Sequence, residues 1–77
     1  MTVELVEYLA RQLVDAPDAV RVEQFERDGA VVVQLHVSED DVGKVIGRGG
    51  RIARALRTVV RATGARDDRR VLLEIVG

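Results

Sequence analysis

The sequence has no cysteine, no tryptophan, one proline, one serine and one histidine. Without cysteine there is no disulfide framework, no thiolate metal site and no thiol nucleophile, so 77 residues must hold together by packing alone, as suits a reducing cytoplasm. Aromatic residues make up 3%, contributed by Tyr8 and Phe25, both remote in sequence from the glycine-rich region, so base stacking on rings cannot dominate any nucleic-acid binding. No apolar run approaches the roughly 20 residues that span a bilayer. Met1 leads into Glu4 and Glu7 and not into a basic stretch followed by an apolar one, so neither export nor membrane contact is expected. Catalysis also lacks its parts, because Ser38 and His36 stand without any cluster of acid, base and nucleophile. The expectation is a non-enzyme with no cofactor and no metal.

A further absence is the most informative. From Val42 to Arg66 there is no aspartate or glutamate, while Lys44, Arg48, Arg51, Arg54, Arg57, Arg61 and Arg66 all fall there. That segment carries +7 and the rest of the chain -8, so a net charge of -1 conceals one strongly basic region. An acidic balance overall is therefore no argument against a nucleic-acid partner. The usual explanation of helical arginines, pairing with carboxylates at i,i+4, is also unavailable within the segment.

What is present reads as one α+β domain over residues 1–77, with 47% apolar and 32% charged residues. Leu5, Leu9 and Leu13, with Val6 and Ala10 beside them, form a helical stripe over Thr2 to Val14 that Thr2 can cap and Pro17 ends. Val20 to Glu26 reads as a strand, although Phe25 falls on the face opposite Val20 and Val22, which implies a bulge or a two-faced strand. Asp28-Gly29 suits a two-residue hairpin turn. Val31, Val33, Leu35 and Val37 then alternate with Val32, Gln34 and His36 in a clear strand, with His36 on the outer, solvated face. Ser38 opens a second helix by accepting the Asp41 amide on its hydroxyl, with Glu39, Asp40 and Asp41 at the favourable end of the dipole. A third helix starts near Arg51 and gathers Ile52, Leu56, Val59 and Val60 on one arc, Arg51, Arg54, Arg57 and Arg61 on the other. Gly64 ends it, residues 65–69 form a polar loop, and Val71 to Val76 is the last strand. The early strands must pair antiparallel, and the helical crossover favours a parallel pairing with the last strand. A mixed three-stranded sheet covered by three helices results.

Between the second and third helices stands Val45-Ile46-Gly47-Arg48-Gly49-Gly50-Arg51-Ile52. A G-x-x-G turn exposes backbone amides and admits a nucleic-acid backbone, because glycine presents no β-carbon. The following helix start, Arg48 at the tip and Arg51 in the first turn all favour phosphate. Ile46 and Ile52 offer apolar surface for unstacked bases. A dinucleotide fingerprint would need glycine at Ile52, and a P-loop would need lysine followed by serine or threonine after Gly50.

This stretch resembles the hallmark V-I-G-x-x-G-x-x-I of the KH domain, with the spacing to the final isoleucine shortened by one. The element order resembles the bacterial type II form over essentially the whole chain. The resemblance implies a type II KH fold that binds about four nucleotides of single-stranded RNA. It also implies a role in post-transcriptional regulation or as an RNA chaperone, and pairing with a second copy or with a larger KH-domain protein. The residues it assigns to RNA are Val45, Ile46, Gly47, Arg48, Gly49, Gly50, Arg51, Ile52 and Arg54. Leu72 or Leu73 would complete the groove floor, and Arg66 and Arg69 would extend the phosphate paths. Gly49 departs from the family pattern, since a polar or basic residue often stands there, and it leaves Arg48 as the only side-chain donor at the tip. Three phosphates would be neutralised, by Arg48, Arg51 and one more distant arginine. Two other readings compete: a protein-interaction or dimerisation module using the apolar arc of the third helix, and a helix-turn-helix-like DNA binder, against which the flanking strands and the lack of asparagine or glutamine on that helix speak.

Overall fold

The computed structural model describes the backbone of residues 2–66 and 69–77 and the side chains of residues 3–64 and 69–77. Its order is α1 (Thr2–Leu13), β1 (Arg21–Arg27), β2 (Ala30–His36), α2 (Val42–Ile46), α3 (Arg51–Arg66) and β3 (Val71–Val76), with single 3-10 turns at Pro17–Ala19, Glu39–Asp41 and Arg48–Gly50. The sheet runs β1-β2-β3, with β1 antiparallel and β3 parallel to β2. Both pairings are those the connections require. The hairpin turns through Asp28 and Gly29, both at positive φ (52° and 81°), the backbone twist that joins adjacent strands most directly.

One face of the sheet carries the helices. Val33 and Leu35 of β2 and Val71 and Leu73 of β3 pack against Val6 and Ala10 of α1, Val45 of α2, and Leu56 and Val60 of α3. Burying side chains of this size contributes about 1.5 to 3 kcal/mol each for the larger ones. The stripe on α1 is centred on Val6 and Ala10 and not on the leucines: Leu9 and Leu13 are partly buried at its flanks, and Leu5 is 40% exposed. The smaller residues let the helix approach the sheet closely, which pushes the longer side chains outward.

The opposite face of the sheet resolves the ambiguity of β1. Pairing runs unbroken from Arg21↔His36 to Arg27↔Ala30, so there is no bulge and the strand is two-faced. Phe25 sits across from Val32, which in turn neighbours Leu72. The Arg27 guanidinium lies 5.3 Å from the Phe25 ring centroid and bridges to Glu74, which also accepts from Gln34. These contacts hold the Glu74 carboxyl below the usual carboxylate range, Arg27 first. Beneath that cover Val32 is fully buried although it faces away from the helices. His36 is only partly exposed, with Nε2 2.9 Å from the side-chain Oε1 of Gln34.

Two local expectations are corrected. Gly64 does not end α3, which continues to Arg66. A β-carbon at position 64 would collide with Val71 Cγ2 and lie 2.7 Å from the Arg69 carbonyl oxygen, so glycine is there for close approach to β3 and not as a stop. The Arg69 amide donates to the Gly64 carbonyl at 2.9 Å and closes the helix. The Thr2 cap, the Arg66 side chain and residues 67–68 of the expected loop lie outside the described residues.

The start of α2 differs as well. The Asp41 amide donates to the Ser38 carbonyl at 2.8 Å and not to its hydroxyl, so a 3-10 turn precedes the helix. Asp41 is turned inward and 2% exposed, where its Oδ2 accepts the Ala16 amide at 3.0 Å and its Oδ1 the Lys44 ammonium at 3.4 Å. Burial alone would raise the Asp41 carboxyl, but the Ala16 and Asp15 amides and Lys44 outweigh it and hold the group below its usual range. Lys44 also reaches Asp15 at 3.0 Å, so the loop after α1 is tied to α2. A carboxyl lowered by folding stabilises the native state above its unfolded pKa, near 4, and that contribution is lost as pH falls through the lower folded value. Asp41→Asn is therefore expected to lower Tm at pH 7, with the difference from wild type shrinking towards pH 2. Thermal scans across pH check this, and a difference independent of pH would contradict it.

Candidate nucleic-acid interface

Gly47 ends α2 by donating its amide to Gly43 at 2.9 Å and turning to φ 76°. A β-carbon there would come within 2.7 Å of Ile52 Cγ1. Ile52 thus packs over Gly47 and supports the loop from within. The Gly50 amide bonds the Gly47 carbonyl at 3.1 Å and the Arg51 amide bonds the Arg48 carbonyl, so this single 3-10 turn occupies the first of the donors expected to be open at the start of α3. Within the Gly47–Gly50 loop, the Arg48 and Gly49 amides at the tip make no backbone hydrogen bond. Gly49 sits in the left-handed region (φ 64°, ψ 18°) with nothing within 4 Å of its β-position. Its carbonyl accepts Nη2 of Arg54 at 2.8 Å.

The other residues expected at the site divide. Val45 is fully buried in the core, so it anchors the loop and cannot floor a groove that a nucleotide reaches. Ile46 is 37% exposed beside the loop. Arg51 borders a different surface, an apolar groove of about 350 Å³ between α1 and α3 lined with Leu9, Leu13, Ile52, Ala55 and Val59. Leu73 is buried, whereas Leu72 is partly exposed.

The arginines of α3 are not one undivided face. Ala53, Leu56, Val60 and Gly64 point into the fold, and at 100° per residue Ile52, Val59 and Thr63 flank them on one side, Arg54, Arg57 and Arg61 on the other. The second flank faces the free edge of β3: Arg57 and Arg61 line a shallow depression with Val71, Leu72 and Leu73, which continues past Arg61 to Arg69 and Arg70. Arg57, Arg61 and Arg70 were not among the expected site residues. The helical period alone places an arginine opposite the core; only the position of β3 selects which arginines share a groove.

Pairing separates the cations further. Arg11 bridges to Glu7, Arg21 to Glu23, Arg27 to Glu74, Lys44 to Asp15 and Asp41, and Arg69 to Glu26. Among the described residues Arg48, Arg51, Arg54, Arg57, Arg61 and Arg70 have no carboxylate partner. With the exception of Arg51 they lie along one line, from the loop tip along α3 to the start of β3. Lys44, counted in the basic segment, is neutralised, and Arg69 is engaged.

Comparison with known proteins places this geometry. The family described as "KhpA/KhpB, KH domain" matches residues 3–75. Among curated relatives, the "RNA-binding protein KhpA" of Treponema pallidum is 49% identical over 99% of this chain and 95% of its own length. Those of Aquifex aeolicus and Borreliella burgdorferi are 49% and 47% identical over 95% and 96% of this chain, and 92% and 90% of their own. Among solved structures, Aquifex aeolicus Era bound to GDP.AlF4- superimposes with a TM-score of 0.60 at 20% identity, over 96% of this chain and 29% of that one, a likeness of fold alone. The sheet order, the glycine loop between α2 and α3 and the extent of these matches agree: the chain belongs to the KhpA/KhpB family of KH domains.

Proposed function

We propose that this chain binds single-stranded RNA, with about four nucleotides running from the Gly47–Gly50 loop along the groove between the arginine flank of α3 and the edge of β3. The observation that carries the reading is the sorting of charge: among the described residues every cation away from this groove except Arg51 is paired with a carboxylate, whereas Arg48, Arg54, Arg57, Arg61 and Arg70 along it are not, Arg69 alone being engaged there. The Arg48 and Gly49 amides and the Arg48 side chain take a phosphate at one end. Arg57 and Arg61 follow the backbone, and Ile46 and Leu72 offer apolar surface to splayed bases. With no ring beside the groove, selectivity among bases is modest. Such a binder acts in the cytoplasm as an RNA chaperone or post-transcriptional regulator. The groove between α1 and α3, extended by Leu5 and the 61% exposed Tyr8, is the surface for a second copy or a KhpB-like KH-domain protein.

Matched oligonucleotides, single-stranded and annealed, at one salt concentration test the reading. Binding to the single strand is expected to be at least about tenfold tighter, because duplex RNA hides the base edges the groove would meet. Tighter binding to duplex DNA would favour the helix-turn-helix reading, and no binding to either would leave the apolar α1–α3 face as the functional surface.

A further inference from the structure

We infer that Arg54 is a positioning residue that latches the Gly47–Gly50 loop, and not a ligand for phosphate. Arg48, Arg57 and Arg61 make no hydrogen bond from their side chains among the described residues, whereas Arg54 commits Nη2 to the Gly49 carbonyl, five residues back, at 2.8 Å. The carbonyl of Gly49 and the amide of Gly50 belong to one peptide unit. That unit accepts from Arg54 on one side and donates to Gly47 on the other, so its plane is held from both ends. Holding it keeps the Arg48 and Gly49 amides, which make no backbone hydrogen bond, at the exposed tip. The loop needs this restraint, since Gly47, Gly49 and Gly50 all adopt positive φ and glycine has the largest backbone freedom to lose.

The base of the latch is firm. Arg54 rises from α3 between Ala53 and Leu56, both buried, so its Cα is fixed by the core while the guanidinium reaches back across the loop. The β-position of Gly50 lies 4.0 Å from Nη2, and a longer side chain at 50 would displace the guanidinium. Arginine also suits the task better than lysine: a planar guanidinium reaches one bond further and keeps a directed donor at its end. Its consequence for affinity rests on the RNA reading above; its consequence for loop order does not.

Arg54→Lys and Arg54→Met, both at an exposed position, separate latch from ligand. In the free protein, 15N relaxation at residues 48–50 is expected to fall from order parameters near 0.85 towards about 0.6 in both variants, with Tm unchanged. With a short single-stranded RNA, both are expected to bind about five- to tenfold more weakly than wild type, with the dependence of log K on log salt unaltered, since no phosphate contact has been lost. Loop order unchanged in Arg54→Lys would overturn the latch. So would Arg54→Lys binding as wild type while Arg54→Met flattens the salt slope by about 0.7, the signature of one phosphate contact. A wild-type chain that binds no RNA would refute the RNA reading, and the relaxation data would still decide the latch.

Discussion

Replacing Arg48 and Gly49 together by aspartate is expected to reduce RNA affinity by at least about a hundredfold while leaving the fold in place. The tip of the loop offers two amides without backbone acceptors and one unpaired guanidinium, all within two residues. Removing a charged donor typically costs about 1.5 to 3 kcal/mol of binding. Two carboxylates in its place add repulsion to the phosphate that the amides would otherwise take. The fold is spared because nothing lies within 4 Å of the β-position of Gly49. The left-handed backbone there costs an aspartate about 1 kcal/mol, less than it would cost most residues, since aspartate and asparagine visit this region with local support. Circular dichroism and fluorescence anisotropy on the double variant provide the check, and undiminished binding would remove the loop from the mechanism.

Alternation and turn chemistry made much of this fold legible. The β2 strand declares itself by strict alternation, the hairpin by Asp28-Gly29, and the parallel return of β3 by the length of the crossover. Tertiary contact decided the rest, and a one-dimensional pattern does not contain it. Gly64 looks like a helix stop until β3 is seen to press against it. Ser38 and Asp41 look like a cap until Asp41 is found buried against the Ala16 amide, a partner 25 residues away. The loop itself was readable because glycine spacing is a local constraint. Which neighbours of the loop are reachable was not: Val45 reads as site and is core, and Arg51 reads as site and borders the opposite groove. A helical wheel gives a polar arc, and a second element must be present before that arc acquires two distinct edges.

That distinction sets the second large effect. If Arg48, Arg57 and Arg61 each neutralise one phosphate, the slope of log K against log salt for a short single-stranded RNA is expected to be about -2, at roughly -0.7 per contact. Arg57→Glu with Arg61→Glu removes two of the three and opposes the strand with like charge. The slope should then fall in magnitude to about -0.7, and affinity at low salt should drop about a hundredfold or more. Arg51→Glu is the control, for it changes the net charge in the same direction from the border of the α1–α3 groove and should leave the slope near -2. A longer strand adds a test of assembly, because two chains engaging one RNA double the contacts and bring the slope to about -4, with an affinity gain set by the spacing of the two loops. All three arginines are exposed, so circular dichroism should report an unchanged fold in each variant. Equal slopes for wild type and the Arg57/Arg61 variant would show that phosphates do not follow the edge of β3. A collapse with Arg51→Glu alone would move the path to the other side of α3, onto the groove assigned above to a protein partner.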